Sequence, residues 1–78
     1  MTPDQLSALA QSLQDNEAFQ AALDGQRGRA LEKLAIVPRS DEQGFYAAQA
    51  IVAVVDEIRS DLEAFIRAGK PKGPPGIA

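Results

Sequence analysis

Between Gly44 and Phe65, apolar or small residues return at alternating spacings of four and three: Gly44, Ala48, Ile51, Val55, Ile58, Leu62 and Phe65. That pattern is the seam of an amphipathic helix sustained over about three heptads. Ser40 is a strong cap for its start, and Gln43, three residues on, completes a capping box. Asp41 and Glu42 suit the positive end of the helix dipole. At the other end Gly69 suits the left-handed position after a last turn, and Pro71 blocks a restart. The expected helix runs from about Ser40 to Ala68 and is roughly 42 Å long. In a chain of 78 residues, everything else must be arranged around it.

Two shorter helices are expected before it. Thr2 caps the first, Pro3 fits its first position, and Gln5 completes a capping box with Thr2. Leu6, Leu9 and Leu13 then mark one face, which Ala10 widens, and Gln14-Asp15-Asn16 closes the element. Asn16 caps the second helix, whose stripe is Phe19, Ala22, Leu23, Ala30, Leu31 and Leu34. Gly25 and Gly28 each cost about 1 kcal/mol against alanine in a helix interior. One helix from Glu17 to about Ile36 is expected in spite of them. Pro38 ends it and disfavours helical geometry at Val37. The loop is short, so the third helix should return antiparallel to the second.

The expected fold is all-α: a short N-terminal helix, then an antiparallel helical hairpin with a long C-terminal helix. Residues 1–69 form one helical domain, and 70–78 form an extended tail rich in Pro and Gly. No apolar run approaches the roughly 20 residues that span a bilayer, so no membrane is expected. The start Met1-Thr2-Pro3-Asp4 lacks the basic then apolar pattern of a signal peptide.

The third helix carries more apolar surface than one partner needs. From Phe45 to Val55 only Gln49 is polar. A helix that is apolar nearly all round is a buried helix. Yet the second helix offers only Phe19, Leu23, Leu31 and Leu34 to cover it, and the first offers leucines at 6, 9 and 13. Either the first helix folds over the remainder or another chain does. A domain this small buries only about 60–65% of its unfolded surface and often relies on a disulfide, a metal or association. The sequence has no cysteine and no histidine, which leaves association. Phe45, Tyr46, Ile51, Val54 and Val55 are therefore the expected partner-binding residues. In the tail, Ile77 is the expected apolar anchor of an extended Pro-rich segment docked in a neighbour's groove.

Catalysis is poorly supported. Without histidine the serines cannot form a Ser-His triad. Asp56, Glu57, Asp61 and Glu63 flank the seam with Arg59 and Arg67 among them, which reads as a solvated charged face. Gly25 and Gly28 match neither a P-loop nor a dinucleotide fingerprint. No enzyme, cofactor or metal is expected. The net charge of −3 disfavours nonspecific nucleic-acid binding, and only Arg27, Arg29 and Lys33 offer a basic group.

Phe19 is an aromatic residue ahead of the segment Arg29-Ala30-Leu31-Glu32-Lys33-Leu34. A short polar turn follows, then a helix with apolar Ile51, Ile58 and Leu62 that ends in Leu62-Glu63-Ala64-Phe65-Ile66-Arg67-Ala68-Gly69. This layout, from Phe19 to Gly69, resembles small proteins encoded among the morphogenesis genes of tailed bacteriophages. The N-terminal helix and the tail lie outside that pattern. The resemblance implies a structural or assembly role in a virion put together in the bacterial cytoplasm, with the chain itself (a homo-oligomer) or other virion proteins as partners. The alternative is a small regulatory protein-binding module of the inhibitor or antitoxin type, acting in the cytoplasm.

Overall fold

The computed structural model describes residues 1–69, and these form three helices. Helix α1 spans Pro3–Gln14, α2 spans Glu17–Ile36 and α3 spans Glu42–Gly69. Among the described residues there is no strand, so the fold is all-α as the patterning required. The expected tail, with Ile77, lies outside the described residues.

The caps explain the first two helices. The Thr2 backbone N–H donates to Gln5 Oε1 at 2.9 Å, and the Gln5 N–H donates to Thr2 Oγ1 at 3.1 Å. Both arms of the capping box are thus closed. At the head of α2 the Phe19 N–H donates to Asn16 Oδ1 at 2.8 Å. Helix α2 continues unbroken through Gly25 and Gly28. It stops at Val37, which is extended (φ −66°, ψ 134°) as a residue before proline prefers.

The start of α3 differs from expectation. Asp41, not Ser40, is the cap: its Oδ1 accepts from the Gly44 N–H at 2.9 Å, and its carbonyl accepts from the Phe45 N–H at 3.1 Å. The Asp41 N–H itself donates to the Pro38 carbonyl at 3.0 Å, a turn that carries the chain past Ser40 before the helix can begin. A carboxylate at this position also complements the dipole.

Helices α1 and α2 are laid one after the other along α3 and barely touch each other. Ser7 meets Ile66 and Gly69, Asp24 meets Arg59, Arg27 meets Asp56, and Leu34 shares a cleft with Phe45. Rising numbers on α1 and α2 meet falling numbers on α3, so both run antiparallel to it. The N-terminal helix therefore covers the C-terminal third of α3 within the same chain.

Packing revises two apolar faces. On α1, Ala10 is buried while Leu9 and Leu13 are largely exposed. Small side chains at Ser7 and Ala10 let the helix axes approach, which the bulkier leucines would prevent. The Ser7 hydroxyl donates to the Ile66 carbonyl at 3.1 Å. Gly69 is the last residue of α3 rather than a left-handed cap beyond it. A Cβ there would run into the Ser7 side chain and lie 2.9 Å from the Pro3 carbonyl oxygen.

On α3 the buried residues are Ala48, Val55 and Leu62, each seven apart and all in the expected seam. Between them burial shifts by one residue at 51/52 and at 65/66, while Ile58 and Arg59 are both half-buried. Val52, Arg59 and Ile66 are half-buried, whereas Ile51 and Phe65 are each 38% exposed. The inner row is Ala48, Val52, Val55, Arg59, Leu62, Ile66 and Gly69. It faces Leu23, Arg27, Ala30, Leu34 and Val37 on and just beyond α2, a second row with heptad spacing. Arg59 takes a seam position because Asp24 and Gln20 on α2 both accept hydrogen bonds from its guanidinium.

The resulting core is thin. Among the described residues the buried apolar side chains are Ala10, Leu23, Ala30, Ala48, Val55 and Leu62, half of them alanine. Burying a Val or Leu side chain stabilises by about 1.5–3 kcal/mol, and an alanine methyl by far less.

Candidate association surface

The antiparallel pair of α2 and α3 has two unlike sides. One is polar and internally satisfied. Arg27 Nε lies 2.9 Å from Asp56 Oδ1, and its Nη2 lies 3.5 Å from Oδ2. Hydrogen bonding to Asp56, then the charge of that carboxylate, raises the Arg27 pKa above its ordinary value. One turn along, Arg59 pairs with Asp24 and also reaches Gln20 Oε1 at 3.4 Å. These are the ion pairs among the described residues.

The opposite side has none. A shallow groove of about 350 Å³ runs between the helices there, lined by Leu23, Gln26, Ala50, Ile51, Val54, Val55 and Ile58. Its rim on α3 is a second heptad row, Ala47, Ile51, Val54, Ile58 and, beyond Asp61, Phe65. Val54 is 51% exposed. On α2 the matching flank is Ala22, Gln26, Arg29, Lys33 and Ile36, also spaced by three and four. The Arg29 guanidinium lies over Gly25, where a Cβ would be 3.2 Å from Nη1. Lys33 stands beside Ala47 and Ile51 in the adjoining notch. Among the described residues neither cation has an ion-pair partner.

The residues expected to bind a partner divide into groups. Ile51 and Val54 are on the groove rim. Val55 is only 4% exposed, so it belongs to the intrachain core and supplies the groove floor. Its place in the shared heptad row turns it toward α2, which leaves Val54 outermost. Phe45 and Tyr46 sit apart, at the loop end, with ring centroids 5.6 Å apart in an edge-on arrangement. There they line a cleft with Leu34, Val37, Pro38, Arg39 and Glu42. Ile77 is outside the described residues. Ile58, expected in the seam, is half-buried and also lines the groove, while Ala50 and the Leu23–Gln26 wall lie outside the expected partner-binding residues. The row Ala47-Ile51-Val54-Ile58 was the available signal.

This surface can bind by shape and apolar contact. Gln26 is the polar member of the groove lining, and no buried side-chain nitrogen or oxygen among the described residues lacks a partner. Among the described residues no group of three acidic, His or Cys side chains could hold a metal ion, and no helix is long and apolar enough to cross a membrane. Comparison with protein-family models, with curated proteins and with solved structures finds no match.

Proposed function

We propose that this chain is a non-enzymatic assembly protein that acts by helix-mediated association through the groove side of α2 and α3. The observation that carries this reading is the apolar groove rim on α3, with Ile51 and Val54 exposed and Ile58 half-buried, set on a two-helix unit whose other side carries ion pairs. Apolar side chains left at the surface in a contiguous row mark an interaction site more often than a scattered few do. The thin core supports it further, because a domain that buries so little gains most by covering that row.

On this reading the chain is an antiparallel helical hairpin with a docking tail, repeated in a bacteriophage particle, with Ile77 seated on a neighbouring subunit. The likeness of the 19–69 segment to small proteins of phage morphogenesis supports that setting. The test is the oligomeric state by sedimentation across a wide concentration range, for the unaltered chain and for Val54→Asp. Assembly that Val54→Asp abolishes, with helicity retained by circular dichroism, is the expected result. A chain that stays monomeric and is absent from purified particles would refute the reading.

A further inference from the structure

The groove-side row on α3 is symmetric about Val54. Ile51 and Ile58 stand three and four residues to either side, and Ala47 and Asp61 stand seven. An isologous contact requires that where one residue meets another, the second also meets the first. We propose that the occupant of the groove side is a second copy of this chain, α3 packed antiparallel on α3, with the two-fold axis beside Val54. The proposal rests on the association reading and adds the identity and direction of the partner.

The axis pairs Val54 with Val54, Ile51 with Ile58, and Ala47 with Asp61. The first pairings bury Val54 and Ile51, which are exposed in the single chain, together with what remains uncovered of the half-buried Ile58. The last brings a second carboxylate to the notch that Lys33 lines with Ala47 and Asp41; Asp41 is engaged there in capping α3 through the Gly44 N–H, and Lys33 has no ion-pair partner among the described residues. Each copy thus supplies Asp61 to the other's Lys33, twice per dimer.

Other arrangements of two copies fit less well. A parallel α3 pair lays Asp61 on Asp61, and like charges in contact are destabilising. Packing the α3 row on the other copy's α2 sets Ile51, Val54 and Ile58 against Gln26, Arg29 and Lys33. The antiparallel α3 pair matches apolar to apolar and acid to base, at the shallow crossing angle natural to heptad rows.

The sequence has no cysteine, so Val54→Cys introduces a single thiol. Mild oxidation should join the full-length Val54→Cys chain into a disulfide dimer, while Gln49→Cys, on a different face of α3, should stay uncoupled. Lys33→Glu and Asp61→Lys should each weaken the dimer roughly tenfold or more. The double variant Lys33→Glu/Asp61→Lys should recover most of the loss. If the chain assembles but Val54→Cys does not couple and the charge swap does not recover binding, the two-fold arrangement is wrong while association stands. A chain that is monomeric throughout overturns the two-fold arrangement, and one that is also absent from purified particles overturns both. A monomer that dimerises only as Ile77→Asp would show the tail in the groove, and that also overturns the proposal.

Discussion

Ser7 occupies the space that a side chain on Gly69 would need, and its hydroxyl donates to the Ile66 carbonyl one turn earlier at 3.1 Å. This contact is what fastens α1 to the end of α3. It makes glycine at 69 a packing requirement rather than a matter of backbone conformation.

Gly69→Ala therefore tests the α1–α3 contact. In an open helix the change would gain about 1 kcal/mol. Here the new methyl meets the Ser7 side chain and the Pro3 backbone, neither of which can swing away. Overpacking of this kind costs about 1–3 kcal/mol. The urea midpoint should fall, and the amides of α1 should exchange faster. A raised midpoint would mean that α1 does not lie on Gly69 in solution.

Substitutions at 40 and 41 separate the expected cap from the observed one. Asp41→Ala removes the acceptor of the Gly44 N–H and should cost about 1 kcal/mol. Ser40→Ala should stay within about 0.5 kcal/mol, as surface changes usually do. Equilibrium unfolding of both variants decides it, and the reverse ranking would restore Ser40 as the cap.

Arg59 allows packing and charge to be told apart at a seam position. Its stem lies in the inner row between Val55 and Leu62, and its guanidinium reaches Asp24 and Gln20. Arg59→Met keeps a stem of similar length and loses only a partly exposed ion pair, so it should change stability by less than about 1 kcal/mol. Arg59→Ala also strips the apolar stem and should cost about 1–2 kcal/mol. Equal losses for the two, read from thermal unfolding, would show that the charge rather than the stem holds the helices together.

Arg59 also shows where sequence reading stopped. Helix number, the caps at Thr2 and Asn16, and the passage of α2 through Gly25 and Gly28 follow from local chemistry, and local chemistry is written in the chain. Ala48, Val55 and Leu62 were equally legible, since a seven-residue repeat fixes them under either phase of the seam. The phase itself was not. Apolarity alone prefers Ile58 over Arg59 and does not separate Ile51 from Val52. Asp24 and Gln20 on another helix accept hydrogen bonds from Arg59 and hold it in the seam, where it is half-buried like Ile58, while Ile51 and Val54 stand exposed. The candidate surface was therefore half legible: surplus apolar surface on the helix points to Ile51 and Val54, which are exposed, but equally to Val55, which is buried, while Ile58 belongs to both seam and groove. Ser7 and Gly69 gave no signal, because close approach of small residues leaves no periodic trace.

The adjacent residues Val54 and Val55 give the sharpest separation of folding from association. Val55 is 4% exposed beneath the groove, so Val55→Ala should cost about 1–3 kcal/mol of folding stability. That loss should appear at any protein concentration. Val54 is 51% exposed in the single chain, so Val54→Ala should leave the unfolding of dilute chain within about 0.5 kcal/mol of the original. Its effect should appear only where chains associate, as a weaker dimer and a smaller rise of the melting midpoint with concentration. Melting curves over a hundredfold range of concentration read both effects. If the two variants lose the same stability in dilute solution, Val54 is a core residue and the groove side is not a surface at all.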